Sequence, residues 1–144
     1  MTAQTTTATT GGRTFMRIAV AVQTVAIFFQ ATTAGVLLAS SHESELHHIG
    51  SYVAYGTTVL YLLAAVLAWR PGGGGPRPIL YAAGFLVLAS VQVASGIAGL
   101  TPLHVPLGVL MFALSTLVLA RLLRGPRLGR DAHGRAPRRP RGAE

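Results

Sequence analysis

The chain has 144 residues, 51% hydrophobic and only 11% charged, with a formal net charge of +8. A soluble domain carries about 25% charged residues, so this composition excludes an ordinary water-soluble globule. The absence of cysteine excludes disulfides, thiolate catalysis and iron–sulfur ligation.

The opening stretch MTAQTTTATTGG is Thr-rich and without apolar periodicity. It reads as a disordered lead-in, so residues 1–14 are assigned to an N-terminal tail. Four apolar runs follow, Ile18–Ser40, Ile49–Trp69, Ile79–Leu100 and Leu103–Leu123, charged only at their very ends. Each is close to the ~20 residues that cross a hydrocarbon core as a helix. The first exceeds the about 7–15 apolar residues of a signal peptide and reads as a retained helix. The expected fold is all-α: an integral membrane four-helix bundle of up-down connectivity over residues 15–124.

All 12 basic side chains are arginines, and their positions set the topology. Arg13 and Arg17 precede the first run, Arg70 and Arg77 lie between the second and third, and eight more begin at Arg121. The segment between the first two runs carries Glu43 and Glu45 but no arginine. Positive residues stay on the cytoplasmic side, which predicts a multi-pass protein of the cytoplasmic membrane with both termini inside. Residues 125–144 read as a disordered basic tail that rests on anionic lipid. The region from Arg121 onward lacks the aromatic side chains on which single strands stack, so nucleic acid is not an expected partner.

The loop RPGGGGPRP (Arg70–Pro78) divides the chain into two hairpins that echo each other. In the first, Gln30 precedes Ala34 and Gly35, and the next helix opens with LHHIG; in the second, Gln92 precedes Gly96 and Gly99, and the next opens with LHVPLG. A duplicated hairpin in one orientation would place the second and fourth helices on a diagonal, with their histidines at one depth near the outer face. From His47, helical spacing leads to Gly50, Ser51, Ala54 and Thr58, a face of small residues. From His48 it leads to Ser51, Tyr52, Tyr55 and Val59, a bulkier one. Small residues let helices and flat cofactors approach, so His47 is expected to face the interior and His48 is held in reserve. His104 leads to Gly108, Met111 and Ser115.

Two imidazoles opposed across a bundle suit axial ligation of a six-coordinate b-type haem. The expected ligands are His47 and His104, with Gln30, Gln92, Gly50, Gly96 and Gly108 around the cofactor. Zinc is a poorer match, because a third and fourth ligand are not evident. Gln23, Gln30 and Gln92 are read as either interhelical hydrogen-bonding glue or cavity residues. Pro102 and Pro106 read as helix-start residues, and Gly96 and Gly99 as sites of close helix packing or cofactor clearance.

The segment SVQVASGIAGLTPLHVPLGVLMFA (residues 90–113) resembles the end of one four-helix half of haem A synthase, over about residues 15–124. Small uncharacterised four-span actinobacterial membrane proteins are similar in layout. The resemblance implies haem ligation by His104 and by His47 or His48. The enzyme has two such halves, and its catalytic half carries a glutamate three residues before the helix-two histidine, with arginine following. Here Glu45 stands three before His48, but Ile49 follows, and the enzymatic activity is not carried over. The expected role is electron transfer or haem handling, with a redox partner protein or a homodimer that recreates the two-half arrangement. The competing expectations are a haem-free scaffold or accessory subunit and, third, haem-A-synthase-like oxidation using Glu45 beside His48.

Overall fold

The computed structural model describes residues 5–40, 45–70 and 75–124, with residues 5–10 as backbone alone. The expected basic tail 125–144 lies outside the described residues, as do His42 and Glu43. Four helices make up the fold: α1 (Thr5–Ala39), α2 (Glu45–Trp69), α3 (Arg77–Ile97) and α4 (Thr101–Arg124). They form an all-α, up-down four-helix bundle, and all four are long and apolar enough to cross a membrane.

The helix ends follow from local chemistry. Glu45 sits in the first turn of α2, where a carboxylate favours the positive end of the helix dipole. Arg70 precedes a proline in the sequence, and the residue before proline is turned away from helical geometry. Pro78 occupies the first turn of α3, where no backbone N–H is needed. That helix ends in a Schellman motif. Gly99 adopts φ +67, Leu100 N–H donates to the Ser95 carbonyl at 2.9 Å, and Gly99 N–H donates to the Gly96 carbonyl at 3.1 Å. A side chain at Gly99 would meet nothing within 4 Å. Gly99 is therefore there for its backbone conformation and not for helix packing.

Two other boundaries differ from expectation. The helix is described from Thr5, ahead of the apolar run that opens at Ile18. Gly12 backs onto Ala68 near the end of α2, with space for only a methyl at 3.5 Å. Pro106 lies in the second turn, inside α4. Its ring removes the N–H that would bond the Pro102 carbonyl, so it interrupts the helix ladder beside His104 instead of starting it.

Each helix packs on its sequence neighbours, and α1 also packs on α4, while the backbones of the diagonal pairs stay apart. The α1–α4 seam, which no loop joins, is tied at three depths. Arg17 Nε–H donates to the Leu122 carbonyl at 2.9 Å. The Thr24 hydroxyl donates to the Val20 carbonyl at 2.8 Å and lies 2.7 Å from the Ser115 hydroxyl. Phe28 and Phe112 meet at 5.8 Å between ring centroids. An apolar core of Met16, Val20, Ile27, Tyr61, Phe85 and Met111 fills the bundle interior. Large apolar side chains cover the outside, among them Val25, Leu38 and Leu80. Such a surface is stable against lipid and not against water.

Candidate functional site

The end of the bundle where the hairpins turn is hollow. A cavity of about 500 Å³ lies within the range of roughly 300–1,000 Å³ that takes cofactor-sized ligands. All four helices line it. Among the described residues its polar lining consists of the amides of Gln30 and Gln92, the imidazoles of His47, His48 and His104, and several hydroxyls, with no arginine or carboxylate.

His47 and His104 project into this space from the diagonal helices α2 and α4. Their ring centroids are 6.2 Å apart and their planes are inclined at 70°. With metal–nitrogen bonds of about 2 Å and about 1 Å from nitrogen to ring centre, imidazoles on opposite sides of one ion have centres roughly 6 Å apart. The observed spacing matches that arrangement. His48, one residue on, is exposed at the edge of the same cavity. Glu45 is also exposed, and no hydrogen bond joins it to His48 among the described residues.

Both imidazoles are oriented from behind by the preceding helix of their own hairpin. His104 Nδ1–H donates to the Gln92 carbonyl at 2.9 Å and lies 3.4 Å from the Ser95 hydroxyl. Because a carbonyl only accepts, the proton is on Nδ1 and the lone pair is on Nε2. His47 Nδ1 lies 3.2 Å from the Thr33 hydroxyl. Thr33 O–H donates to the Gln30 carbonyl at 3.0 Å, as Ser95 O–H does to the Gln92 carbonyl at 2.9 Å. Buried Thr33 and Ser95 were not singled out by the sequence reading. The signal was present, since QATTA and QVASG share Gln-x-x-Thr/Ser followed by Ala or Gly.

The glutamines are keyed into the glycines of the partner helix. A side chain at Gly50 would collide with the Gln30 Oε1 atom, and one at Gly108 would stand 3.0 Å from Gln92 Nε2. Gln30 Nε2–H donates to the His47 carbonyl at 2.9 Å. The Oε1 atoms of Gln30 and Gln92 are buried without a hydrogen-bond partner among the described residues. Gly96 is the wall on which the His104 ring rests: an added methyl would stand 3.0 Å from Cε1 and 3.1 Å from Nδ1. The structure thus brings together His47, His104, Gln30, Gln92, Gly50, Gly96 and Gly108.

The pattern extends further down the bundle. Ile27 and Ala89, each three residues before its glutamine, both line the cavity, as do Ala54 and Met111, each seven after its histidine. Thr58 and Ser115, eleven after the histidines, are both fully buried. Gln23 fits neither role proposed for it. It is 0% exposed, it lies off the cavity, and neither of its amide atoms has a partner among the described residues. Nothing in the structure explains its amide.

Among the described residues there is no group of three or more His, Asp or Glu side chains able to hold a metal ion, which is what a closed zinc site requires. The constellation is two imidazoles at one cavity, each backed by a hydroxyl of the preceding helix. Comparison with protein-family models, curated proteins and solved structures finds no match for this chain.

Proposed function

We propose that this protein is a multi-pass protein of the cytoplasmic membrane that binds one b-type haem between α2 and α4, for electron transfer or haem handling. The observation that carries this reading is the His47–His104 pair, with ring centroids 6.2 Å apart across a cavity of about 500 Å³. His104 has its Nδ1–H committed to a carbonyl, which leaves the lone pair on Nε2, the tautomer that second-shell partners impose on metal-binding histidines. Glycine at position 96 gives that ring a flat seat. The apolar outer surface suits lipid as the surrounding medium.

His47 and His104 would hold the iron, and Thr33 and the Gln92 carbonyl would orient their rings. The haem, when bound, supplies one-electron redox chemistry. The protein's own part is to fix both imidazoles, exclude bulk water with the apolar core beneath, and present the site at the hairpin-turn end. With the arginines cytoplasmic, that end faces outward, where a redox partner protein would dock; a homodimer would pair two such sites.

The deciding experiment is the absorption spectrum of detergent-solubilised protein expressed with ample haem. A Soret band of six-coordinate haem is expected; its absence would sink the cofactor reading and leave a haem-free scaffold or accessory subunit. Reporter fusions at both termini should report a cytoplasmic location. Conversion of the haem side group in an oxygen-dependent reaction, abolished by Glu45→Gln, would instead favour haem-A-synthase-like oxidation.

A further inference from the structure

One polar side chain of the bundle interior takes no part in the site above. Gln23 is fully buried, and neither Nε2 nor Oε1 of its amide has a partner among the described residues. It shares a face of α1 with Val20 and Ile27, in the turns before and after it, and both belong to the apolar core. The amide therefore stands inside the bundle, out of reach of bulk water. A buried amide with neither donor nor acceptor used destabilises a fold that an apolar side chain would not.

The helices around it bring acceptors to the same height. The contacts of Gly12 with Ala68 and of Gly50 with Gln30 fix the register of α1 against α2 and place Gln23 level with Thr57 and Thr58. The contact between Thr24 and Ser115 brings α4 to that level as well. Thr58 and Ser115 are fully buried, and both have spent their protons. Thr58 O–H donates to the Ala54 carbonyl at 2.9 Å. Thr24 O–H is committed to the Val20 carbonyl, so Ser115 is the donor in the 2.7 Å contact between the two hydroxyls. Both oxygens have only lone pairs left to offer. Thr58 also lines the cavity, whose deepest lining residues on the other helices are Ile27, Ala89 and Met111. Gln23 thus lies just beneath the cavity floor, with Thr58 on the boundary.

The groups left over define their partner. It must accept from Gln23 Nε2–H and donate to Gln23 Oε1, Thr58 Oγ and Ser115 Oγ. A cation would suit the oxygens and be repelled by the amide N–H; an anion could only accept. Water does both, and it uses two to four polar partners when buried. We infer that Gln23, Thr58 and Ser115 form a solvent-binding site that holds water under the cavity floor, reached from the cavity past Thr58. The inference stands independently of the haem reading. It gives the floor one wet point among apolar Ile27, Ala89 and Met111, where a guest meets solvent.

The test uses the full-length protein in detergent with isotope-labelled side-chain amides at Gln4, Gln23, Gln30 and Gln92. The signal lost in Gln23→Leu assigns the amide in question. Nuclear Overhauser cross-peaks between its protons and water are expected, retained in Thr58→Val and in Ser115→Ala, since either leaves the water enough partners. Gln23→Leu should lower the thermal midpoint by about 2–8 °C, the loss of roughly one hydrogen bond in a chain of this size. An amide that meets only protein protons overturns the site, as does a water peak that disappears in either hydroxyl variant. A midpoint raised by Gln23→Leu overturns it too, since that marks an amide with no partner at all. A parent midpoint that climbs with sodium at constant ionic strength assigns the site to a cation and overturns the water. Should Gln23→Leu fail to fold, the unbranched Gln23→Met carries the same comparison. None of these readouts needs haem.

Discussion

The hairpins α1–α2 and α3–α4 follow one pattern with different spacing. In the second, 12 residues separate the glutamine from the histidine, and a three-residue Schellman turn joins the helices. In the first, 17 residues separate them. The shorter connection lets the His104 ring reach the backbone carbonyl of Gln92, while His47 meets the Thr33 hydroxyl and the Gln30 amide. The residues of the motif decide which groups meet. The length of the turn decides whether a histidine rests on backbone or on side chains, and so how firmly it is held.

Five substitutions would break or sharpen that contrast. The largest effect is expected at Gly96→Val, where the new side chain would push into the seated His104 ring. A loss of about 2–3 kcal/mol is expected from overpacking, read as a lower thermal midpoint in detergent together with loss of bound haem. Next comes Gly99→Val, which forces a β-branched residue into a left-handed conformation at about 1–2 kcal/mol. Loosening this turn should make the second hairpin behave like the first, with faster amide hydrogen exchange around Leu100. A smaller difference is expected between Thr33→Val and Ser95→Ala. The first removes the hydroxyl that lies 3.2 Å from His47 Nδ1 and should cost about 1 kcal/mol. The second leaves the Gln92 carbonyl in place and should cost about half of that. Nitrogen NMR of the two rings would show a tautomer change for His47 alone. The smallest effect belongs to Gly50→Ala. It displaces only the end of the Gln30 side chain, and about 1 kcal/mol of helix propensity offsets the disturbance. A midpoint as depressed as that of Gly96→Val would remove the distinction between a rigid and a movable neighbour.

Much of the fold was legible because a membrane-spanning helix announces itself by length and lack of charge, as in Leu103–Leu123. The preference for His47 over His48 at the interior could be read from Gly50, Ala54 and Thr58 at helical spacing. The hydroxyls of Thr33 and Ser95 escaped notice, since threonine and serine are common in apolar helices and their alignment shows only when the two glutamines are superposed. The approach of Gly12 to Ala68, 56 residues away in the chain, is a tertiary contact that no local propensity encodes. Gly99 and Gly96 look alike in a sequence, yet one serves its own backbone and the other a neighbour's ring. The tautomers were beyond reach, because they follow from distances of a few tenths of an ångström.

The seam between α1 and α4 has a consequence for how the two imidazoles find each other. No loop sets the relative height of these helices; Arg17 on the Leu122 carbonyl, Thr24 beside Ser115 and Phe28 against Phe112 do so instead. A slip of one residue would carry α4 about 1.5 Å along its axis and turn it by roughly 100°, swinging His104 off the cavity. The three contacts work as the graduations of a vernier. The first and last helices calibrate each other, and the ring-to-ring distance between His47 and His104 is read off that scale.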